Sequence, residues 1–191
     1  MNNILPLVYF GNIAWWQMAL SSESIGLADE QIYERQTFRN RMQIMGPNTI
    51  QVLSVPIIKA KKGTKLIDAQ IAYTEPWPQL HLRSLQAAYG KSPYYLYYMP
   101  YIEPIILGNY TTLAALNLAT FQTVSKLLKL KTEIVLGKKL PSHFDTEFEK
   151  SSSNKYNQVF ENKHGFVPNL CILDLLFNAG PDAFIKLEIR R

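Results

Sequence analysis

Apolar positions open the chain as an almost unbroken block and only later settle into a helical period. Residues 5–10 are short, apolar and partly β-branched, which reads as a buried strand. Gly11-Asn12 interrupts the run, and residues 13–20 follow as a helix with Asn12 as its cap. A strand followed at once by a helix places their connecting loop at the carboxyl edge of a sheet, as in many α/β folds. Residues 25–28 suggest a second short strand. Residues 36–45 and 49–58 flank Gly46-Pro47-Asn48, the signature of an antiparallel hairpin, and Pro56 ends its second strand or confines it to an edge. Residues 59–65 form a second, lysine-rich turn, and residues 66–73 alternate as a further strand.

From Pro78 the period becomes helical. Residues 79–88 form one helix. Residues 93–107 are aromatic-rich and broken by Pro100 and Pro104, which predicts two short helices. Residues 111–130 give the clearest helix. Leu113, Leu116, Thr120, Val124 and Leu127 share one face, and Thr111 or Thr112 caps it. Residues 132–136 return as a strand, and residues 142–157 are the most polar and mobile stretch. Residues 169–178 are helical. Gly180-Pro181 ends that helix and starts a last one. The reading is one mixed α/β (α+β) domain over residues 1–191. An N-terminal strand-helix unit and an antiparallel hairpin sheet precede a mostly helical C-terminal half.

Composition narrows the function classes. The chain of 191 residues is 47% hydrophobic and 18% charged, too apolar for disorder. No apolar run reaches the ~18–20 residues of a membrane span. Twenty Lys+Arg against 15 Asp+Glu leave a net charge of +5, but the basic groups are scattered, which argues against nucleic acid as a partner. One cysteine, Cys171, excludes an internal disulfide. The single thiol and the lack of a basic leader point to a reducing, cytoplasmic setting.

Three polar features stand in apolar surroundings. Arg39 and Arg41 would share one face of a strand, ~7 Å apart, a spacing that suits a carboxylate or phosphate. Asn40 would lie on the other face with Phe38, Met42 and Ile44. Equally, both arginines could sit on the solvent side and pair with Glu34. Cys171, Asp174 and Asn178 make one polar stripe on an otherwise apolar helix. A buried carboxylate needs a donor, which the arginines, His81 or a loop's backbone amides could supply. In such a helix Cys171 reads as inert. His81 could move a proton near neutrality, or be structural. It lies about 200° from Arg83 around its helix, so the two cannot face one ligand, and Leu82, Leu85 and Tyr89 read as the packing face. Phosphate loops, dinucleotide fingerprints and Gly-x-Ser-x-Gly elbows are absent, and no cofactor is specified. His81, His143 and His164 share no metal-binding spacing, and a mixed His143–Asp145 site is weak.

Several segments together carry a resemblance. They are Tyr9-Phe10-x-Asn12, Gln36-Thr37-Phe38-Arg39-Asn40-Arg41, Leu53-Ser54-Val55-Pro56, Trp77…His81-Leu82-Arg83-Ser84, Ala88-Tyr89-x-x-Ser92-Pro93-Tyr94 and Phe166-Val167-Pro168-Asn169-Leu170…Leu173-Asp174-Leu175-Leu176-Phe177-Asn178-x-Gly180-Pro181. In this order, over about residues 5–185, the chain resembles the WbqC-like family in its short Bacteroidetes-type form. Leu5-Pro6-Leu7-Val8 stands where longer members carry a His-x-Pro segment, Gly11 stands where proline is usual, and Cys171 where serine is usual. The resemblance implies a cytoplasmic transferase, of acyl or aminoacyl type, or an accessory enzyme of surface-polysaccharide (O-antigen-like) assembly. Its substrate would be an anionic small molecule such as a nucleotide sugar or acyl donor. Arg39 and Arg41 would hold the anion, His81 would move a proton and Asp174 would orient His81 or the arginines. Asn40, Asn12 and Tyr9 would line the ligand. The alternative is a non-catalytic binding or scaffold protein of a glycan-assembly complex, able to oligomerise through the tyrosines at 94, 95, 97, 98 and 101, which could equally be core.

Overall fold

The computed structural model describes residues 2–22, 24–130, 133–137 and 154–188. Strand β1 (Asn2–Pro6), helix α1 (Ile13–Leu20) and strand β2 (Ser24–Ala28) form the expected opening unit. β1 and β2 pair in parallel, and β5 (Glu133–Leu136) adds a third parallel strand on the far side of β2. The hairpin is β3 (Arg41–Met45) against β4 (Ile50–Ser54), a separate antiparallel sheet. Helices α2 (Trp77–Tyr89), α3 (Tyr95–Leu107), α4 (Leu113–Leu127), α5 (Glu161–His164), α6 (Ile172–Ala179) and α7 (Ala183–Leu187) concentrate in the C-terminal half. The mixed α/β architecture is therefore as the pattern predicts. Among the described residues no helix is long and apolar enough to cross a membrane.

Asn12 caps α1 as expected. Its Oδ1 accepts from Trp15 N at 3.0 Å. The other first-turn amides also have partners, since Ile13 N donates to Leu170 O, Ala14 N to Asn169 Oδ1 and Trp16 N to Asn12 O. The start of α1 is thus closed by the segment that leads into α6, and no amide of its first turn is left over for a ligand.

β1 stops at Pro6, four residues before the end of the apolar run. Leu7, Val8, Tyr9 and Phe10 are buried all the same. Their carbonyls are met by side chains rather than by a neighbouring strand. Leu7 O accepts from Gln31 Nε2 and Asn117 Nδ2, both at 3.2 Å, and Phe10 O accepts from Trp16 Nε1 at 2.7 Å. Phe10 (φ 58°) and Gly11 (φ 67°) then turn the chain through two left-handed residues in succession. Proline, held near −65°, could not occupy position 11, and a Cβ there would approach Trp16 Nε1 to 3.0 Å.

Other elements depart from expectation for local reasons. The first hairpin strand begins at Arg41 rather than residue 36, because Asn40 N turns back to Thr37 O. The segment 66–73 is no strand. Leu66–Asp68 is a 3₁₀ turn, and the backbone bonds that follow go to separate partners, with Ile71 N on Thr111 O and Leu113 N on Ala69 O. Residues 93–107 hold one helix, α3, rather than two. Pro100 and Pro104 are four apart on its solvent face, where water can meet the carbonyls they leave free. On α2, His81 belongs to the buried face with Trp77, Leu85, Ala88 and Tyr89, while Leu82 is half-buried at its margin. Of the polar stretch 142–157, residues 154–157 are described, and Tyr156 among them is buried. The rest of that stretch, with His143 and Asp145, lies outside the described residues.

Loss of the α1 cap gives a direct check. Asn12→Ala is expected to cost about 1 kcal/mol, a fall in Tm of about 2–4 °C for a chain of this size, measured by urea and thermal unfolding.

Candidate functional site

In open α/β sheets ligands settle outside the carboxyl ends of the strands. Here the loops leaving that edge are residues 7–12 after β1 and 29–40 after β2, and between them they carry Tyr9, Asn12, Arg39 and Asn40. Tyr9 N donates to Phe38 O at 3.0 Å, and Asn117 Nδ2, which holds Leu7 O, also donates to Arg39 O at 2.8 Å. Asn117 on α4 therefore ties the two loops together.

Tyr9 and His81 form a buried pair at the base of the hairpin, beside half-buried Ser54, and Asn40 is buried one step along the same ladder. Asn40 has spent its own amide on the turn, so its side-chain Nδ2 extends the hairpin ladder to Val55 O at 3.0 Å, while Asn40 O accepts from Val55 N. His81 Nε2 lies 3.2 Å from Ser54 O, and Nδ1 lies 3.1 Å from the Tyr9 hydroxyl. A carbonyl only accepts, so Nε2 carries the proton. Nδ1 then accepts from the Tyr9 O–H. Trp77 and the imidazole meet edge to face with ring centres 5.0 Å apart. Burial lowers the His81 pKa to about 4, with the Ser54 carbonyl opposing it, and burial raises the Tyr9 hydroxyl well above its usual value. At neutral pH His81 is an uncharged ring with both nitrogens engaged.

Arg39 and Arg41 do not share a strand face. Arg39 lies in the turn before β3, buried, with Nη1 3.4 Å from the exposed Glu34 carboxylate. Arg41 opens β3 opposite Ser54 and is half-buried, its Nε enclosed and without a hydrogen-bond partner among the described residues. Burial raises the Tyr33 hydroxyl pKa and Arg35 and Arg41 oppose it, so both guanidiniums lie near Tyr33, in and just after the loop that follows β2.

Asp174 stands apart from this group. It is 1% exposed on α6, and its donors are Gln158 Nε2 (3.2 Å), Asn178 Nδ2 (3.2 Å) and the Tyr156 hydroxyl (3.5 Å). The donors expected from sequence, His81 and the arginines or a loop's backbone amides, are not the ones it uses. With neutral donors alone, burial raises its carboxyl to about 7, against the opposing pull of these hydrogen bonds. Gln158 also clamps its own loop, donating to Val167 O and accepting from Val167 N. Cys171, at the start of α6, packs its Sγ 3.8 Å from Met42 Sδ, and burial pushes its thiol up to about 12.

The sequence reading passed over Asn117, Gln31, Tyr156 and Gln158. Asn117 was detectable, as a polar residue four positions after Leu113 on the core face of α4. Nothing local marks Gln158. Among the described residues no group of three or more acidic, histidine or cysteine side chains is placed to hold a metal.

Comparison with known proteins follows the same segments. The family model described as the WbqC-like protein family matches residues 8–147 and 142–186. The uncharacterized protein Rv1507c of Mycobacterium tuberculosis is 24% identical over 196 aligned positions, covering 81% of this chain and 83% of that protein. No solved structure matches.

The two buried titrating groups pull stability in opposite directions. His81 is harder to protonate in the folded state, so its contribution is present above its unfolded pKa of 6.5 and is lost as pH falls toward 4. Asp174 is easier to protonate when folded. Its contribution is fullest below 3.8 and is lost as pH rises toward 7. The slopes oppose one another between about pH 4 and 6.5. Asp174→Asn removes one of them, so the stability of this variant relative to wild type should fall steadily as pH drops from 7 to 4, measured by urea unfolding across that range.

Proposed function

Because the chain belongs to the WbqC-like protein family, we propose that it is a single-domain accessory enzyme or transferase of bacterial surface-polysaccharide assembly. It would bind an anionic sugar or acyl donor at the carboxyl edge of its parallel sheet. The observation that carries this reading is the gathering of Tyr9, Arg39, Asn40, Arg41 and His81 where the loops after β1 and β2 meet the base of the hairpin.

The roles follow from the chemistry present. Arg41 and Arg39 supply donors for a carboxylate or phosphate, in a partly enclosed place where a charge-assisted hydrogen bond is worth most. Glu34, more than half exposed, occupies Arg39 in the free protein and can yield to a ligand anion. His81, neutral and fixed in one tautomer, serves as an orienting group for the Tyr9 hydroxyl rather than as a proton donor near neutrality. Asp174 is assigned to holding α6 and the Gln158 loop, since its contacts all lie there.

Thermal-shift titration with nucleotide sugars and acyl thioesters tests the reading. A donor at 100 times its Kd should stabilise the wild type by about 2.7 kcal/mol. For donors that carry no nucleoside, such as sugar 1-phosphates and simple acyl thioesters, Arg41→Met should abolish that gain while leaving the unliganded Tm within about 2 °C. A stable oligomer that responds to none of these compounds would overturn the enzyme in favour of a scaffold.

A further inference from the structure

A broad concave surface is lined by none of these residues. It is a groove of about 770 Å³ between α3, the end of α4 and the segment around α7. The size is that of a site for a small molecule rather than a packing defect. Tyr97 and Tyr101 of α3 line it and are 63% and 49% exposed, with Phe184 across from them. Gln122, Lys126 and Lys129 complete its polar side.

Two features set this groove apart from an ordinary surface hollow. It holds two lysines, and no carboxylate stands among the described residues that line it. Neither lysine has an ion-pair partner among the described residues. Lysines near a helix C-terminus complement its dipole, which accounts for Lys126. It favours the charge of Lys129 as well, but not the backbone conformation of that residue. That residue is the left-handed position (φ 55°) of a Schellman stop, in which Leu130 N donates to Ser125 O at 2.9 Å and Lys129 N to Lys126 O at 3.1 Å. Glycine takes this conformation without strain and lysine does not. A side chain kept at a strained position and lining a cavity is the usual mark of a functional constraint.

We propose that this groove is a binding site for a nucleoside phosphate, its base stacked on Tyr97 and Tyr101 and its phosphates held by Lys126 and Lys129. Exposed aromatic faces accept any base because every base presents a π-face, and lysine serves phosphate as a compact charge. The site uses none of the residues assigned above and does not rest on the reading of the sheet edge.

Isothermal titration of the whole chain with ADP, UDP and inorganic phosphate tests it. Both nucleotides should bind saturably, and inorganic phosphate at least ~30-fold more weakly, since it lacks the stacking contribution. Lys129→Gly should raise Kd about 10-fold, the loss of one such charge, while raising Tm by about 2 °C through relief of the left-handed strain. Tyr101→Leu, on an exposed position, should weaken nucleotides and leave phosphate unchanged. Arg41→Met should bind nucleotide as the wild type does. The proposal fails if neither nucleotide saturates below ~1 mM, if Lys129→Gly gains stability without losing affinity, if phosphate matches the nucleotides, or if Arg41→Met removes the binding.

Discussion

Between Pro6 and Phe10 the chain crosses the core with no strand beside it, and a buried carbonyl left without a donor costs about 1–3 kcal/mol. Side chains from distant elements remove that cost. Trp15 Nε1 donates to Pro6 O, Gln31 and Asn117 to Leu7 O, and Trp16 Nε1 to Phe10 O. Each of these donors is thereby fixed, and so is the element that carries it. Asn117 reaches further, to Arg39 O, and registers the loop after β2 against the loop after β1. The position of Tyr9 opposite His81, and of the Arg39 backbone, is a consequence of satisfying this one buried segment.

The electrostatics are arranged around neutrality. His81 is kept uncharged by burial and Asp174 is pushed toward protonation by the same cause, although they lie in separate networks. Neither has an opposite charge among its hydrogen-bond partners. Formal charge beside the sheet edge is carried by Asp29, Glu30, Glu34, Arg35 and Arg39 of the loop after β2 and by Arg41 at the start of β3.

The opening strand-helix unit, its Asn12 cap, the Gly46-Pro47-Asn48 hairpin and the Thr112-capped α4 were all legible, because each has a local signature in turn or capping chemistry. What escaped depended on distant partners. An apolar run reads as a strand whether its carbonyls meet a ladder or, as at Leu7 and Phe10, side chains. The pairing of Arg39 with Arg41 assumed a strand that the Thr37–Asn40 turn interrupts. Tyr9, Asn40 and His81 were picked out individually, but their contacts follow from the meeting of a loop, a hairpin and a helix. Asp174 was recognisable as a carboxylate in need of donors. That Gln158 and Tyr156 supply them could not be read, since those residues lie on a loop with no periodicity.

The middle strand of the parallel sheet has one neighbour close behind it in the chain and the other more than a hundred residues later. The side-chain donors for the buried N-terminal segment are split in the same way, Trp15 and Trp16 nearby and Asn117 far along. A nascent chain therefore leaves the ribosome with its first third unable to complete either its sheet or its interior hydrogen bonds. Such high contact order makes for slow, late and cooperative folding. It also leaves the opening apolar block without its full set of partners until the second half of the protein has been made.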